Sequence, residues 1–237
     1  MPNPYFHFKQ FAVFQDRCAM KVGTDGVLLG AWTNCESAAH ILDIGTGTGL
    51  IALMLAQRSN AFITAIEIDK NAAEQAFENA ANSIWHNRIS VKNCALQEFV
   101  SNTKFDLIVS NPPYFSNSLK TPLNNRNLAR HTDSLSLNDL LQHSLRLLSE
   151  NGRICVILPV DEAVFFTEKA ASNGLFCTRR TKVKPLPEGD TKRILLEFSL
   201  IEKELVEDFL IIEKNRHQYS ENFKKLTGEY YLDIAVS

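Results

Sequence analysis

The chain is predicted to be an α/β protein built on one mostly parallel sheet with helices on both faces, and three observations predict it. From Ile41 onward, short apolar runs alternate with helix-like runs. A glycine-rich turn, Gly45-Thr-Gly-Thr-Gly49, joins the first of these pairs. The last two strands are separated by Pro185-Leu-Pro-Glu-Gly-Asp190, a link too short for a crossover, so they pair as an antiparallel hairpin.

The elements follow in chain order. Tyr5 to Phe14 carries aromatics at 6, 8, 11 and 14, alternating first and then slipping phase, as in a short strand or hairpin laid on a larger body. Gly23 and Gly26 bracket Thr24-Asp25, which reads as a helix cap before the apolar run Val27 to Trp32; those glycines could also admit a ligand close to the backbone. Ile41 to Ile44 is a short buried strand, Leu50 to Arg58 an apolar helix, and Phe62 to Ile66 a second strand ending at Glu67. Asp69 caps a helix whose Ala72, Ala73, Ala76, Phe77 and Ala80 form one apolar stripe. Ile89 to Val91 is a third strand, followed by Asn93-Cys94-Ala95, and Phe105 to Ser110 is a fourth.

Phe115 to Asp133 is rich in Asn, Ser, Thr and Pro and is expected to be a mobile loop. Ser136-Leu-Asn-Asp139 is a capping box for a helix running to about Ser149, stopped by Asn151-Gly152. A fifth strand, Arg153 to Leu158, leads to a helix from Asp161 to Asn173 ended by Gly174, and then to the strands Phe176 to Val183 and Arg193 to Leu200. Glu202 to Leu226 carries apolar residues in both periods and is not assigned. Three segments are expected: a 1–40 extension covering a cofactor pocket, a 41–200 catalytic domain and a 201–237 extension.

Composition excludes several classes. An apolar share of 45% and a charged share of 22% are those of an ordinary globular protein. Five cysteines without a C-x-x-C argue against a disulfide framework or zinc ribbon and for a reducing cytosol; no metal is expected. The start of the chain lacks a basic-then-apolar leader, and no run approaches the about 18 apolar residues of a membrane helix. A net charge of −2 gives no global sign of a nucleic-acid partner. Locally, Phe176 to Arg193 has six basic residues against two acidic, and Ile201 to Ser237 has eight acidic against five basic.

Three places carry chemistry. The glycine turn is G-x-G-x-G, not the G-x-G-x-x-G of dinucleotide binders, because position 50 is Leu. Such a turn at a strand end still lets a ligand approach the backbone at the edge where open α/β sheets bind ligands. Glu67, about twenty residues on, can take both hydroxyls of a ribose. Asp43 can meet a cation, and no Lys or Arg between Gly45 and Leu55 is present to neutralise a pyrophosphate. These features suit S-adenosylmethionine better than a dinucleotide. The third place is Asn111-Pro112-Pro113-Tyr114. Its two prolines force the chain off the sheet as an extended loop, the Asn111 amide and the Pro112 carbonyl offer acceptors, and Tyr114 offers a stacking surface. That set fits a planar amine.

Asp43-Ile-Gly-Thr-Gly-Thr-Gly49 with Glu67 resembles the first two motifs of the class I S-adenosylmethionine-dependent methyltransferases, and Asn111-Pro-Pro-Tyr114 resembles the amine-methylating motif of that superfamily. Phe11 to Asp16, Lys21 to Trp32 and Lys192 to Phe198 resemble a narrower group, the bacterial methyltransferases that modify the 6-amino group of the adenine next to the anticodon of a valine tRNA. The resemblance implies a Rossmann-like seven-stranded sheet with an antiparallel last strand. It implies cofactor contacts at Gly45, Thr46, Gly47, Glu67, Asn111 and the Asn93, Cys94 and Ala95 turn, where Asn93 or a backbone group replaces the Asp of many relatives. Lys21 and Thr24 would lie at the methionine end. Asn111, Pro112 and Tyr114 would be catalytic, and Pro113, Tyr114 and Phe115 would hold the extruded base. His7, Arg126, Arg130 and His131 could meet RNA phosphates, with Arg179, Arg180, Lys182 and Lys184 as a second patch.

The expected activity is therefore methyl transfer from S-adenosylmethionine to an adenine 6-amino group in tRNA, by a cytoplasmic enzyme expected to be a monomer. The alternatives are methylation of a protein glutamine amide or of another RNA amine such as guanine N2, and a non-catalytic RNA-binding scaffold. A glutamine methyltransferase would carry a recognition domain ahead of the cofactor fold, and the forty residues before Ile41 are too few. Intact Asn111 to Tyr114 argues against a scaffold.

Overall fold

A computed structural model describes residues 3–113 and 135–234. The first strands, β1 (Tyr5–His7) and β2 (Ala12–Phe14), form the expected antiparallel hairpin. There follow α1 (Thr24–Trp32), β3 (His40–Ile44), α2 (Leu50–Arg58), β4 (Phe62–Glu67), α3 (Lys70–Ala81), β5 (Ile89–Asn93) and β6 (Phe105–Ser110). Beyond the undescribed stretch come α4 (Leu137–Leu147), β7 (Leu148–Leu158), α5 (Val160–Ser172), β8 (Phe176–Lys184) and β9 (Arg193–Ser199). The chain ends in β10 (Val206–Ile211), β11 (Glu213–Asn215), β12 (Gln218–Tyr219) and α6 (Glu221–Thr227).

The main sheet has the order β10-β8-β9-β7-β6-β3-β4-β5. Strands β3 to β7 run parallel, and β9 is antiparallel to both β7 and β8. The sheet thus has eight strands among the described residues rather than the seven expected. β10 adds to the outer edge of β8 in parallel. Its Glu207 and Asp208 read as charged tail in the sequence; beside β8 they meet Arg180, Lys182 and Thr181.

Successive residues along the central strands enter opposite cores, which is why these strands read as continuous apolar runs. Ile41, Ala65, Leu107, Val109 and Cys155 pack with α1 and α2, whereas Leu42, Ile44, Ile66, Ile108 and Ile154 pack with α4 and α5. The first core also takes Phe8, Phe11, Phe223 and Tyr230, so both ends of the chain are bound to it. All five cysteines are free thiols. Among the described residues no helix is long and apolar enough to cross a membrane.

Several local expectations change. The N-cap of α1 is Gly23, with no side-chain cap; Asp25 lies in the first turn and pairs with Arg193 at 2.8 Å. Gly26 is buried, and a Cβ there would stand 3.1 Å from Leu50 Cδ2, so that glycine accommodates α2 and not a ligand. Phe77 is 61% exposed and leaves the α3 stripe, where Gln75 and Asn79 are buried instead. β7 begins at Leu148, five residues early, because the chain pairs with Phe105 through an irregular register and needs no turn at Asn151-Gly152. The other two caps read from sequence do form: Asp69 accepts from Ala72 N at 2.8 Å and Ser136 from Asp139 N at 3.0 Å.

Candidate cofactor pocket and amine-binding edge

The glycine turn leaves β3 at the C-terminal edge of the parallel strands. Gly45, Gly47 and Gly49 have φ of 68°, 57° and 82°, the left-handed region that L side chains rarely enter. The turn is tied to the neighbouring strand by Gly45 N and Thr46 N, both donating to Ile66 O at 2.9 and 3.1 Å. A Cβ at Gly45 or Gly47 would meet nothing within 4 Å, so open space lies in front of both. That is the cradle a cofactor needs if it is to lie against backbone.

Glu67 ends β4 on the rim of this space. Its Oε2 accepts from Gly47 N at 2.9 Å and its Oε1 from Asp69 N at 3.0 Å, so the carboxylate is oriented by two backbone donors and is half-buried. Asn93, at the end of β5, donates through Nδ2 to Glu67 O and Ile68 O, both at 2.9 Å. Those bonds engage its donors and leave the Oδ1 acceptor as what it can offer to an amine. Cys94 and Ala95 are half-buried beside it, with Cys94 N donating to Glu67 O at 3.0 Å.

Asp43 is placed differently from its expected role. It is 0% exposed, so it does not present a carboxylate to a cation at the surface. Its Oδ2 accepts from Thr46 Oγ1 at 2.6 Å, which fixes the glycine turn from behind. Burial pushes its carboxyl up to about 7, partly offset by the Thr46 hydroxyl and the Ala52 N–H. Thr46 is buried by the same contact.

The Asn111-Pro112-Pro113 stretch leaves β6, the strand beside β3. Ile44 and Ser110 are register partners, and Ser110 Oγ donates to Ile44 O at 2.9 Å, joining the roots of the glycine turn and the Asn-Pro-Pro loop. Asn111 is half-buried, Pro112 buried and Pro113 exposed. Tyr114, Phe115, Arg126, Arg130 and His131, with the rest of the expected loop, lie outside the described residues.

Between β2 and α1 the chain runs without regular structure, and side-chain amides hold it. Asn79 Oδ1 accepts from Phe14 N, and its Nδ2 donates to Phe14 O and to Thr48 O, at 2.9, 2.9 and 2.8 Å. Gln75 Oε1 accepts from Arg17 N at 3.1 Å and Gln15 Oε1 from Val22 N at 2.8 Å; Arg17 also pairs with Glu78. Sequence reasoning missed Gln75 and Asn79, because polar residues among alanines read as the solvent face. The segment passes close to Glu67: burial first, then the Glu67 and Asp69 carboxylates, push the Cys18 thiol up to about 11. Lys21 and Thr24 follow it and are exposed.

The residues of the expected second basic patch, Arg179, Arg180, Lys182 and Lys184, are half-buried, and three of them are engaged by other groups of the fold. Arg179 stacks 4.2 Å over Trp32 and donates to Trp32 O, while Arg180 and Lys182 both pair with Glu207 at 2.8 Å. His7 is exposed on β1, its ring 4.7 Å from that of Tyr5.

Comparison with known proteins agrees with this geometry. Residues 20–161 match the family model described as "Methyltransferase small domain". A relative from Phocaeicola vulgatus is 53% identical over 99% of this chain and 100% of its own length, and one from Bacteroides fragilis is 52% identical over 99% and 100%. One from Trichodesmium erythraeum is 51% identical over 98% and 99%. Each is named tRNA1(Val) (adenine(37)-N6)-methyltransferase. Among solved structures, a predicted O-methyltransferase from Agrobacterium tumefaciens superposes with a TM-score of 0.65 at 20% identity, covering 87% of this chain and 96% of that one. A Pyrococcus horikoshii protein crystallised with MeSAdo gives 0.59 at 15%, covering 82% and 69%. By the family match and these full-length relatives, the chain belongs to the methyltransferase small domain family of class I S-adenosylmethionine-dependent methyltransferases.

Proposed function

We propose that this enzyme methylates the 6-amino group of adenine 37, the nucleotide 3′ of the anticodon, in a valine tRNA, using S-adenosylmethionine. The observation that carries the reading is the juxtaposition of two strand ends. The glycine turn after β3 and the Asn111-Pro112 edge after β6 are joined by the Ser110–Ile44 hydrogen bond, which sets a cofactor cradle beside a pair of amine acceptors. The relatives' names supply the amine and the RNA.

Gly45, Thr46 and Gly47 would carry the cofactor along the turn, Glu67 would take its ribose hydroxyls, and Asn93 Oδ1 with the Cys94 and Ala95 turn would meet its adenine. Asp43 contributes through Thr46, by holding the turn. The segment from Phe14 to Gly23, with Lys21 and Thr24 at its end, would cover the methionine side; the amide contacts of Gln75 and Asn79 support that placement. Bound there, S-adenosylmethionine supplies an electrophilic methyl on a sulfonium.

The adenine amine is a poor nucleophile, because its lone pair is delocalised into the ring. The Asn111 side-chain carbonyl and the Pro112 carbonyl would accept its two hydrogens, favour a pyramidal nitrogen and offset the positive charge that grows on it. Pro112 has its φ set by its ring, and the following Pro113 restricts its ψ to the extended range, so its carbonyl is oriented before substrate arrives. No general base is needed before transfer, since the alkylated ammonium loses its proton readily to water. Pro113, Tyr114 and Phe115 would stack the base once it has left its neighbours, and Arg126, Arg130 and His131 would meet adjoining phosphates.

Tritiated S-adenosylmethionine incubated with the enzyme and with RNA and protein from a strain lacking the gene tests this. Label in tRNA that elutes as N6-methyladenosine is expected. Label in protein, in another nucleoside or in neither fraction would overturn the reading.

A further inference from the structure

The most basic stretch of the sequence is engaged within the fold, and the acids that engage it come from a tail that reads as acidic. β10 brings Glu207 to Arg180 and Lys182, and Asp208 to Thr181. Beyond β10 the balance of charge reverses. Residues 214–219 are all exposed, and they include Lys214, Arg216 and His217. Among the described residues neither Lys214 nor Arg216 is in an ion pair. Of the nearby acids, Glu213 accepts from His217 N at 3.2 Å, and Glu221 pairs with Lys224 at 3.0 Å, with Lys214 close enough to add to the lowering of its carboxyl.

This hairpin is a built feature. Ile212 N and Glu213 N continue the pairing onto Lys184 O and Pro185 O at 2.9 Å each, Ser220 N closes its base on Ile212 O at 2.9 Å, and Ser220 Oγ bonds Ile211 O. Its tip turns through His217, whose φ of 64° makes the bend tight. Tyr219 is 42% exposed and is stacked on buried Phe223 with centroids 4.7 Å apart, so it presents a fixed aromatic face beside the cations.

Its position gives it a use. β10 runs parallel to β8, and β8 has the direction of β7 and β6, so the hairpin emerges at the sheet edge that carries Ser110 and the Asn-Pro-Pro loop. The order β10-β8-β9-β7-β6 places it four strands to the side, about 19 Å at the usual strand spacing. An RNA with one base at Asn111 and its stem directed toward β10 would reach the hairpin.

We propose that the β11–β12 hairpin is a second tRNA contact, in which Lys214 and Arg216 take backbone phosphates and Tyr219 packs on a sugar or base, at a distance from the methylated adenine. The proposal rests on tRNA being the substrate. Cations so placed confer affinity and register without sequence preference.

The test is binding of full-length tRNA(Val) transcript by the intact enzyme across a salt series, with the double variant Lys214→Ala, Arg216→Ala. The slope of log affinity on log salt is expected to shrink by about 1.4 to 1.8, two phosphates at about 0.7 to 0.9 each. KM for tRNA should rise several-fold, while the S-adenosylmethionine dissociation constant stays at the wild-type value. Charge reversal, Lys214→Glu with Arg216→Glu, should act in the same direction and further. Unchanged slope and KM in both variants, with a wild-type melting temperature, would overturn the hairpin contact alone. Failure of the wild-type enzyme to methylate tRNA would overturn the functional reading instead, and the slope comparison would still decide whether the hairpin binds RNA.

Discussion

Asn79→Ala should separate the segment that begins at Phe14 from the glycine turn. Asn79 is 1% exposed and makes three hydrogen bonds, two to the backbone of Phe14 and one to Thr48 O. Phe14 is 41% exposed, so water can replace its two bonds; each then costs only its net worth, roughly 0.5 to 1.5 kcal/mol. Thr48 is 5% exposed and its carbonyl would be left without a partner, at roughly 1 to 3 kcal/mol. The sum is about 4 kcal/mol, and for a chain of this length that lowers Tm by roughly 8 to 16 °C. Differential scanning calorimetry measures it. Proteolysis should meanwhile begin between Phe14 and Gly23, and the KM for S-adenosylmethionine should rise more than kcat falls. A Tm within 2 °C of wild type, or cleavage beginning elsewhere, would refute the claim that the segment depends on Asn79 for its attachment.

Three further outcomes are expected. Asn111→Ala should lower kcat by roughly 100-fold or more while S-adenosylmethionine affinity barely moves, the pattern for removing a preorganised polar partner of the transition state; stopped-time assays at saturating cofactor measure it, and near-normal turnover would remove Asn111 from the chemistry. Asp43 has a folded-state pKa of about 7, raised from 3.8, so its contribution to stability is full below about pH 4 and is lost as pH rises through about 7. Asp43→Asn should therefore gain on wild type by roughly 2 to 4 kcal/mol between pH 4 and 8 in urea titrations, and a constant difference would mean that the carboxyl stays ionised. Arg179→Ala should destabilise the protein by about 2 kcal/mol, through loss of the Trp32 stack and backbone bond, without altering the salt dependence of tRNA binding; a reduced slope would return Arg179 to the RNA surface.

The sequence by itself determined the parts of this protein whose physics is local. Gly45, Gly47 and Gly49 adopt the positive φ that only glycine takes easily, Asp69 and Ser136 cap the helices they precede, and the short Pro185–Asp190 link makes β8 and β9 antiparallel. The two strand ends that define the candidate site were legible for the same reason: glycines and prolines dictate backbone shape wherever they stand. Tertiary structure decided what depends on partners far apart in the chain. Asp43 reads as a carboxylate at a strand end, and only the packing of α2 and the sheet buries it behind Thr46. Gln75 and Asn79 read as a helix's wet face until Phe14 and Arg17 are laid across them. Above all, the charge pattern of the last sixty residues misleads when read in sequence order. Pairing of β10 with β8 cancels basic residues near 180 against acids near 207, and leaves Lys214 and Arg216 exposed at the edge where Asn111 and Pro112 lie.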